Sequence, residues 1–147
     1  MTTKPLDPPF SVAGQIDADD LRSLSEQGVT TIINNRPDGE EPGQLSSAEA
    51  SALAAQYGID YRYIPVTSAT MTDDAVAAFA KALADGRARE GGVVAHCRSG
   101  TRSAFLWAMA EASAGRDIDD LVARAAAAGY DITPARPRLE ALKSSAR

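Results

Sequence analysis

The stretch Val93-Val94-Ala95-His96-Cys97-Arg98-Ser99-Gly100-Thr101-Arg102-Ser103 decides how this chain is read. A short apolar strand, introduced by Gly91-Gly92, ends in a polar loop, and a helix begins beyond it. In α/β folds, ligands bind outside the carboxyl ends of the strands. A loop that turns into a helix there aims several backbone N–H groups at one point, and the helix N-terminus completes an anion cradle. Gly100 admits a backbone conformation that other residues resist. Cys97 sits at the lip of the cradle, where the donors that bind an anion also stabilise a thiolate. Such a thiolate is a competent nucleophile toward phosphorus or sulfur. Arg102 can fold back and grip an oxyanion with two parallel bonds, which a lysine cannot do. The backbone of Arg98, Ser99, Gly100, Thr101 and Ser103 would line the anion site. Ser103 is also placed to donate to a departing sulfur, and His96 to orient the loop from behind. A lone cysteine after a strand is often only a small buried hydrophobe, and a lone histidine is often a packed one. Two arginines and a glycine in the five residues after Cys97 fit poorly in a dry core, which favours the anion site.

Working outward, strands and helices alternate. The opening residues 1–9 carry Pro5, Pro8 and Pro9 and read as an extended segment; residues 10–147 read as one domain. Phe10 to Ile16 alternates as a first strand or hairpin. Asp17 caps a helix bearing Leu21 and Leu24 and ended by Gly28. Val29 to Asn34 is a β-branched buried strand. Asn35-Arg36-Pro37-Asp38-Gly39-Glu40-Glu41-Pro42-Gly43 is a loop by turn chemistry. Ser46 or Ser47 caps the next helix, Tyr61 to Val66 is a strand, and Thr72-Asp73-Asp74 caps a helix with Val76, Phe79, Ala80 and Leu83 on one face. A helix runs from Ser103 to Ala114, and two more lie near Asp117–Ala128 and Pro134–Lys143. This order predicts an α/β fold with a mainly parallel central sheet flanked by helices. If the strands are parallel, Arg36 and Asp38 lie at the same sheet edge as Cys97. There Arg36 either helps hold the anion or pairs with Asp38 to fix the loop.

Composition narrows the function classes. The 147 residues are 44% hydrophobic and 24% charged, as in a globular protein. Lys plus Arg is 15 against 20 Asp plus Glu, a net charge of -5, which argues against a nucleic-acid binder. A local positive pocket for a small anion is still allowed. One cysteine and one histidine cannot assemble a Cys/His zinc site or an internal disulfide. No metal or organic cofactor is expected. No stretch approaches the roughly 20 apolar residues of a membrane span, and the proline-broken start is not a secretory signal. The expectation is a cytoplasmic protein with no membrane or nucleic-acid partner, acting on a small anionic substrate or a phosphorylated protein.

His-Cys, a glycine three residues after the cysteine, then Arg-Ser, resembles the active-site loop of cysteine-dependent protein phosphatases. Together, Ile32-Ile33-Asn34-Asn35-Arg36-Pro37-Asp38-Gly39-Glu40 and His96 to Ser103 resemble a small bacterial family, the beta-lactamase hydrolase-like protein, phosphatase-like domain family, also described as a candidate sulfurtransferase. The resemblance covers Phe10 to Ala114 and implies a dual-specificity-phosphatase-like fold. Two departures stand out. Phosphatases of this kind place one residue more between cysteine and arginine than the four found here. A loop of this shorter form looks like that of rhodanese sulfurtransferases, whose cysteine carries a persulfide. The phosphatase general acid is an Asp just after the preceding strand, and here Val66-Thr67-Ser68-Ala69-Thr70 intervenes. Asp73 and Asp74 are candidates for that acid but read first as helix caps, and Asp38, on another loop at the same sheet edge, is a candidate substitute.

Three functions follow as expectations. The first is a cysteine-dependent phosphatase-like hydrolase of phosphate monoesters, working through a thiophosphoryl-cysteine. The second is a rhodanese-like sulfurtransferase using a Cys97 persulfide. The third is a module that binds a phosphorylated or sulfated ligand without turnover.

Overall fold

The structure is a computed structural model and describes residues 1–146, so the last position of the predicted 10–147 span lies outside the described residues. The elements run β1 (Thr3–Asp7), β2 (Phe10–Ala13), α1 (Ala18–Glu26), β3 (Val29–Asn34), α2 (Ser47–Gln56), β4 (Asp60–Tyr63), α3 (Asp73–Ala88), β5 (Gly92–His96), α4 (Thr101–Ser113), α5 (Ile118–Ala127) and α6 (Arg136–Ser144), with a 3-10 turn at Thr133–Ala135. The sheet order is β1-β2-β5-β3-β4. β2, β5, β3 and β4 are parallel, and β1 joins β2 antiparallel. The α/β class with a mainly parallel sheet is the expected one.

Alternation along the strands builds two cores. Val12, Ile33, Val93 and Ala95 face a layer that includes Phe79 of α3, Trp107 of α4, Leu121 of α5 and Leu139 of α6. Ala13, Ile32 and Val94 face Leu21 and Leu24 of α1 and Ala50 and Ala54 of α2. α4 is buried along most of its length, with Trp107 stacked on Phe10 at 6.2 Å between ring centroids. No described helix is long and apolar enough to cross a membrane.

The proline-bearing opening is extended, as a strand. Thr3–Asp7 pairs with β2 as an edge strand, a position that tolerates proline because one side of the strand needs no partner. The strand predicted over Tyr61–Val66 stops at Tyr63. Beyond it, Ile64 and Val66 donate their N–H groups to Asn34 and Asn35 carbonyls, so the chain follows the neighbouring strand's exit loop.

The register places the site. His96 lies beside Ala13 on one side and Asn34 on the other, and Asn34 lies beside Tyr63. Four parallel strands therefore end along one line. The loops that follow them, beginning at Gly14, Asn35, Ile64 and Cys97, share one edge.

Candidate active site

At that edge Cys97 is 1% exposed, and its Sγ accepts the Gly100 N–H at 3.1 Å. The loop is anchored at each turn. Asn35 donates its N–H to the His96 carbonyl at 2.8 Å, Cys97 donates to Ala13 at 3.4 Å, and Gln15 donates to the Arg98 carbonyl at 3.2 Å. Gly100 caps α4 in the left-handed region at φ 94°, where a side chain would be strained. Gly14 has a different reason: an added Cβ would stand 2.9 Å from the Arg98 carbonyl oxygen. With no side chain at Gly14, β2's exit passes directly under the loop.

Arg102 occupies the first turn of α4 and reaches across to the loop after β3. Its Nη1 donates to Glu40 Oε2 at 2.8 Å and to the Val66 carbonyl at 2.9 Å, and its Nη2 donates to Glu40 Oε1 at 2.9 Å. The guanidinium is held above its ordinary value, first by the hydrogen bond to Glu40 and, against its partial burial, also by the nearby Cys97 sulfur. Glu40 is correspondingly pulled down to about 2, chiefly by Arg102 and secondarily by Arg36. It is a carboxylate throughout the neutral range. Nε of Arg102 and the second hydrogen of Nη2 donate to no oxygen or nitrogen among the described residues, and the guanidinium has the Cys97 sulfur within hydrogen-bond reach, so this edge carries no carboxylate or carbonyl.

The structure brings together fewer of the predicted residues than the motif implies. Arg36 is buried and does not pair with Asp38. It holds Glu40 at 2.9 Å, Glu41 at 3.2 Å and Gln15 Oε1 at 3.0 Å. Asp38 accepts from the Ser47 N–H at 2.8 Å and hydroxyl at 2.7 Å, so it pins the start of α2. Of the two roles read for Arg36, the pairing with Asp38 is replaced by ion pairs with Glu40 and Glu41, while Asp38 is engaged by Ser47. Asp73 begins α3 and pairs with Arg138 at 3.1 Å, while Asp74 lies in the first turn of the same helix. Arg98 points outward to Glu41 at 2.8 Å and is mostly exposed. The Ser99 and Thr101 hydroxyls lie 3.1 Å apart on the exposed rim.

Ser103 is fully buried, and its hydroxyl donates to Asn35 Oδ1 at 2.8 Å. Asn35 passes the link on through its Nδ2 to the Ile64 carbonyl at 2.9 Å. The hydroxyl read as a donor to a departing sulfur is therefore spent on tying α4 to the β3 and β4 loops. Ser103→Ala is expected to cost about 1–3 kcal/mol, because it leaves Asn35 Oδ1 buried without its donor. Urea denaturation of the two proteins measures it.

His96 ends β5 and is buried, and its Nδ1 has no hydrogen-bond partner. Burial pushes its pKa down to about 4, the Cys97 backbone opposes the shift, and the Arg36 charge adds to it. It is neutral at pH 7. A base whose folded pKa lies below its unfolded value takes its proton more readily when unfolded, so stability falls as pH drops from about 6.5 toward about 4. Between pH 7 and pH 5 the expected loss is about 2 kcal/mol. Denaturant midpoints at both pH values, measured beside a His96→Gln variant that lacks this titration, test it.

Two contributors had no clear sequence signal. Glu40 stood only within a polar loop, although its place four residues after Arg36 is a weak cue to an ion pair. Tyr130, whose hydroxyl donates to the Ser99 carbonyl at 3.0 Å, arrives from beyond α5 with no local pattern to mark it.

Comparison with known proteins agrees with this fold. The description "Beta-lactamase hydrolase-like protein, phosphatase-like domain" matches residues 3–114. A beta-lactamase hydrolase-like protein of Agrobacterium fabrum is 41% identical over 135 residues, covering 89% of this chain and 30% of the relative. One from Xylella fastidiosa is 37% identical over 132 residues, covering 89% of this chain and 30% of the relative. The chain thus spans less than a third of the length of these relatives. Among solved structures, a phosphatase candidate of Neisseria meningitidis superposes with a TM-score of 0.81 at 31% identity, covering 97% of this chain and 99% of the other. The crystal structure of PTPMT1 shares the fold alone, with a TM-score of 0.76 at 16% identity and coverage of 98% of this chain and 93% of the other. With the family description matched over most of its length, and a cysteine-phosphatase fold around the loop at Cys97, this chain belongs to the beta-lactamase hydrolase-like protein, phosphatase-like domain family.

Proposed function

We propose that the chain is a cysteine-dependent hydrolase of phosphate monoesters with good leaving groups. The observation that carries this reading is the pairing of Cys97 Sγ, met by the Gly100 N–H, with an Arg102 whose fork is braced by Glu40 and Val66 and keeps one edge free of carboxylate and carbonyl. The Cys97 thiolate attacks phosphorus, the bond from phosphorus to the ester oxygen breaks, and the alcohol departs. Water then attacks the thiophosphoryl group, and phosphate leaves with the thiolate restored. The backbone from Arg98 to Ser103 and the free edge of Arg102 hold the equatorial oxygens, since positioning and charge stabilisation dominate phosphoryl transfer.

The leaving group sets the substrate class. Glu40 is ionised at neutral pH and a poor proton donor, Asp38 is held by Ser47, and Asp73 by Arg138. An alkoxide without a placed acid departs slowly, by about 10²–10⁴-fold, whereas an aryloxide needs little help. An open groove of about 360 Å³ starts at Thr101 and Arg102 and is lined by Met71, Phe105 and Met109. Its apolar walls suit an aromatic leaving group.

A second reading, sulfur transfer, rests on a specific observation. Glu40 offsets the charge of Arg102 next to the thiol, which disfavours a doubly charged thiophosphoryl intermediate more than a singly charged persulfide. In that cycle the Cys97 thiolate takes the outer sulfur of thiosulfate, sulfite leaves, and cyanide removes the sulfur as thiocyanate. One experiment separates the two. The protein is incubated with 4-nitrophenyl phosphate, and separately with thiosulfate followed by cyanide, and the Cys97 peptide is weighed after rapid quenching. Phosphate release with a phosphorylated Cys97 supports hydrolysis. Thiocyanate with a single added sulfur on Cys97 overturns hydrolysis in favour of sulfur transfer, and no turnover of either donor overturns both.

A further inference from the structure

We propose that Tyr130 is a positioning residue for Cys97: its phenol holds the Ser99–Gly100 peptide turned so that the Gly100 N–H meets the sulfur. The proposal rests on the reading of Cys97 as the nucleophile. In a planar trans peptide the C=O and N–H point in opposite directions. Here both ends of one peptide are engaged. Its carbonyl, from Ser99, accepts the Tyr130 hydroxyl at 3.0 Å, and its N–H, from Gly100, donates to Cys97 Sγ at 3.1 Å. A grip on the outer oxygen therefore aims the inner hydrogen.

Something must hold this peptide, because Gly100 at φ 94° belongs to the residue type that adopts either orientation most readily. The preceding peptide is held in the same manner, its Arg98 carbonyl accepting the Gln15 N–H at 3.2 Å. Two consecutive carbonyls are thus pinned from outside the loop by different parts of the fold, and only one of the two pins is a side chain. The fit at Tyr130 is close: a Cβ on Gly100 would lie 2.2 Å from the phenol oxygen. The glycine serves both the left-handed turn and the approach of the tyrosine. Burial, and then the charge of the neighbouring Cys97, push the phenol pKa upward, so it stays protonated and able to donate. Lys4 Nζ lies over the ring at 5.0 Å from its centroid, so β1 packs on Tyr130 while α5 delivers it. Tyr130 lies outside the 3–114 stretch that the family description matches.

The test is Tyr130→Phe, which keeps the ring and removes only the donor. The pH profile of Cys97 alkylation by iodoacetamide is expected to move to higher pH, with the rate at pH 7 falling about tenfold, the effect of weakening one hydrogen bond to a charged sulfur. In turnover, kcat is expected to fall, since the Gly100 N–H meets the attacking sulfur. An alkylation profile identical to that of the native protein overturns the proposal. A second measurement covers a variant that does not fold: in the native protein, the Gly100 amide resonance is expected to shift along the same pH curve as alkylation, and an amide indifferent to that titration overturns the proposal. Alkylation requires no substrate. A protein that turns over neither donor, yet alkylates more slowly as Tyr130→Phe, sustains the positioning role while the functional reading falls.

Discussion

Cys97→Ser is expected to lower turnover of whichever donor the protein uses by about 10⁴-fold or more, in line with the loss seen when a catalytic nucleophile is removed from a working constellation. A serine hydroxyl is far less ionised than a thiol at neutral pH, and no base lies ready to take its proton. His96, the one histidine, is buried, and its Nδ1 is unpartnered. The fold is expected to survive, since sulfur and oxygen differ little in size and Gly100 can donate to either. Stopped assays on matched, folded samples measure the ratio, and equal rates would end both covalent readings. Anion affinity answers a separate question. Sulfate binding followed by calorimetry is expected to persist in Cys97→Ser, because the cradle is made of backbone and Arg102. Persistent affinity in a native protein that turns over nothing would point instead to a module that recognises a phosphorylated or sulfated ligand.

Arg102→Lys is expected to lower turnover by about 10²–10³-fold, the usual effect of losing one preorganised charged donor at the reacting group. Charge is retained, so the loss isolates geometry. The arginine makes three bonds with its terminal nitrogens, two to Glu40 and one to the Val66 carbonyl, and none of them uses Nε. A lysine has one nitrogen with three hydrogens and cannot brace against Glu40 and offer a parallel pair at once. The ammonium is expected to settle on Glu40 and leave the anion. Steady-state kinetics with an aryl phosphate test this, and a lysine variant within threefold of the native rate would remove Arg102 from the mechanism. Adding Glu40→Gln to the lysine variant is expected to recover part of the loss by releasing the ammonium.

Much of the site was legible because it is local. Cys97, Gly100 and Arg102 lie within six consecutive residues, and a strand-loop-helix passage needs only that stretch to form a cradle. The strands at Val29–Asn34 and Gly92–His96 were legible from β-branched and apolar runs. The strand at Thr3–Asp7 was not, since an edge strand with proline lacks the pattern of a central one. The partners of the loop were hidden for another reason. Asp38 and Glu40 stand two residues apart in one polar loop, and nothing in their spacing says which of them meets Arg102. Only the path of the loop from β3 puts Glu40 on Arg102 and Asp38 on Ser47.

By itself the sequence determined the layer type and marked Cys97 and the loop after it as the candidate nucleophile and candidate anion site, because each depends on periodicity or chemistry among near neighbours. The tertiary structure alone decided what surrounds them. Parallel pairing brings the ends of β2, β3, β4 and β5 to one edge, so that Gln15, Asn35, Glu40 and Val66 reach a loop from which most are distant in the chain. It also carries Tyr130 back to Ser99. Such contacts join residues tens of positions apart, and their distances follow from packing and register, which short-range patterns do not encode.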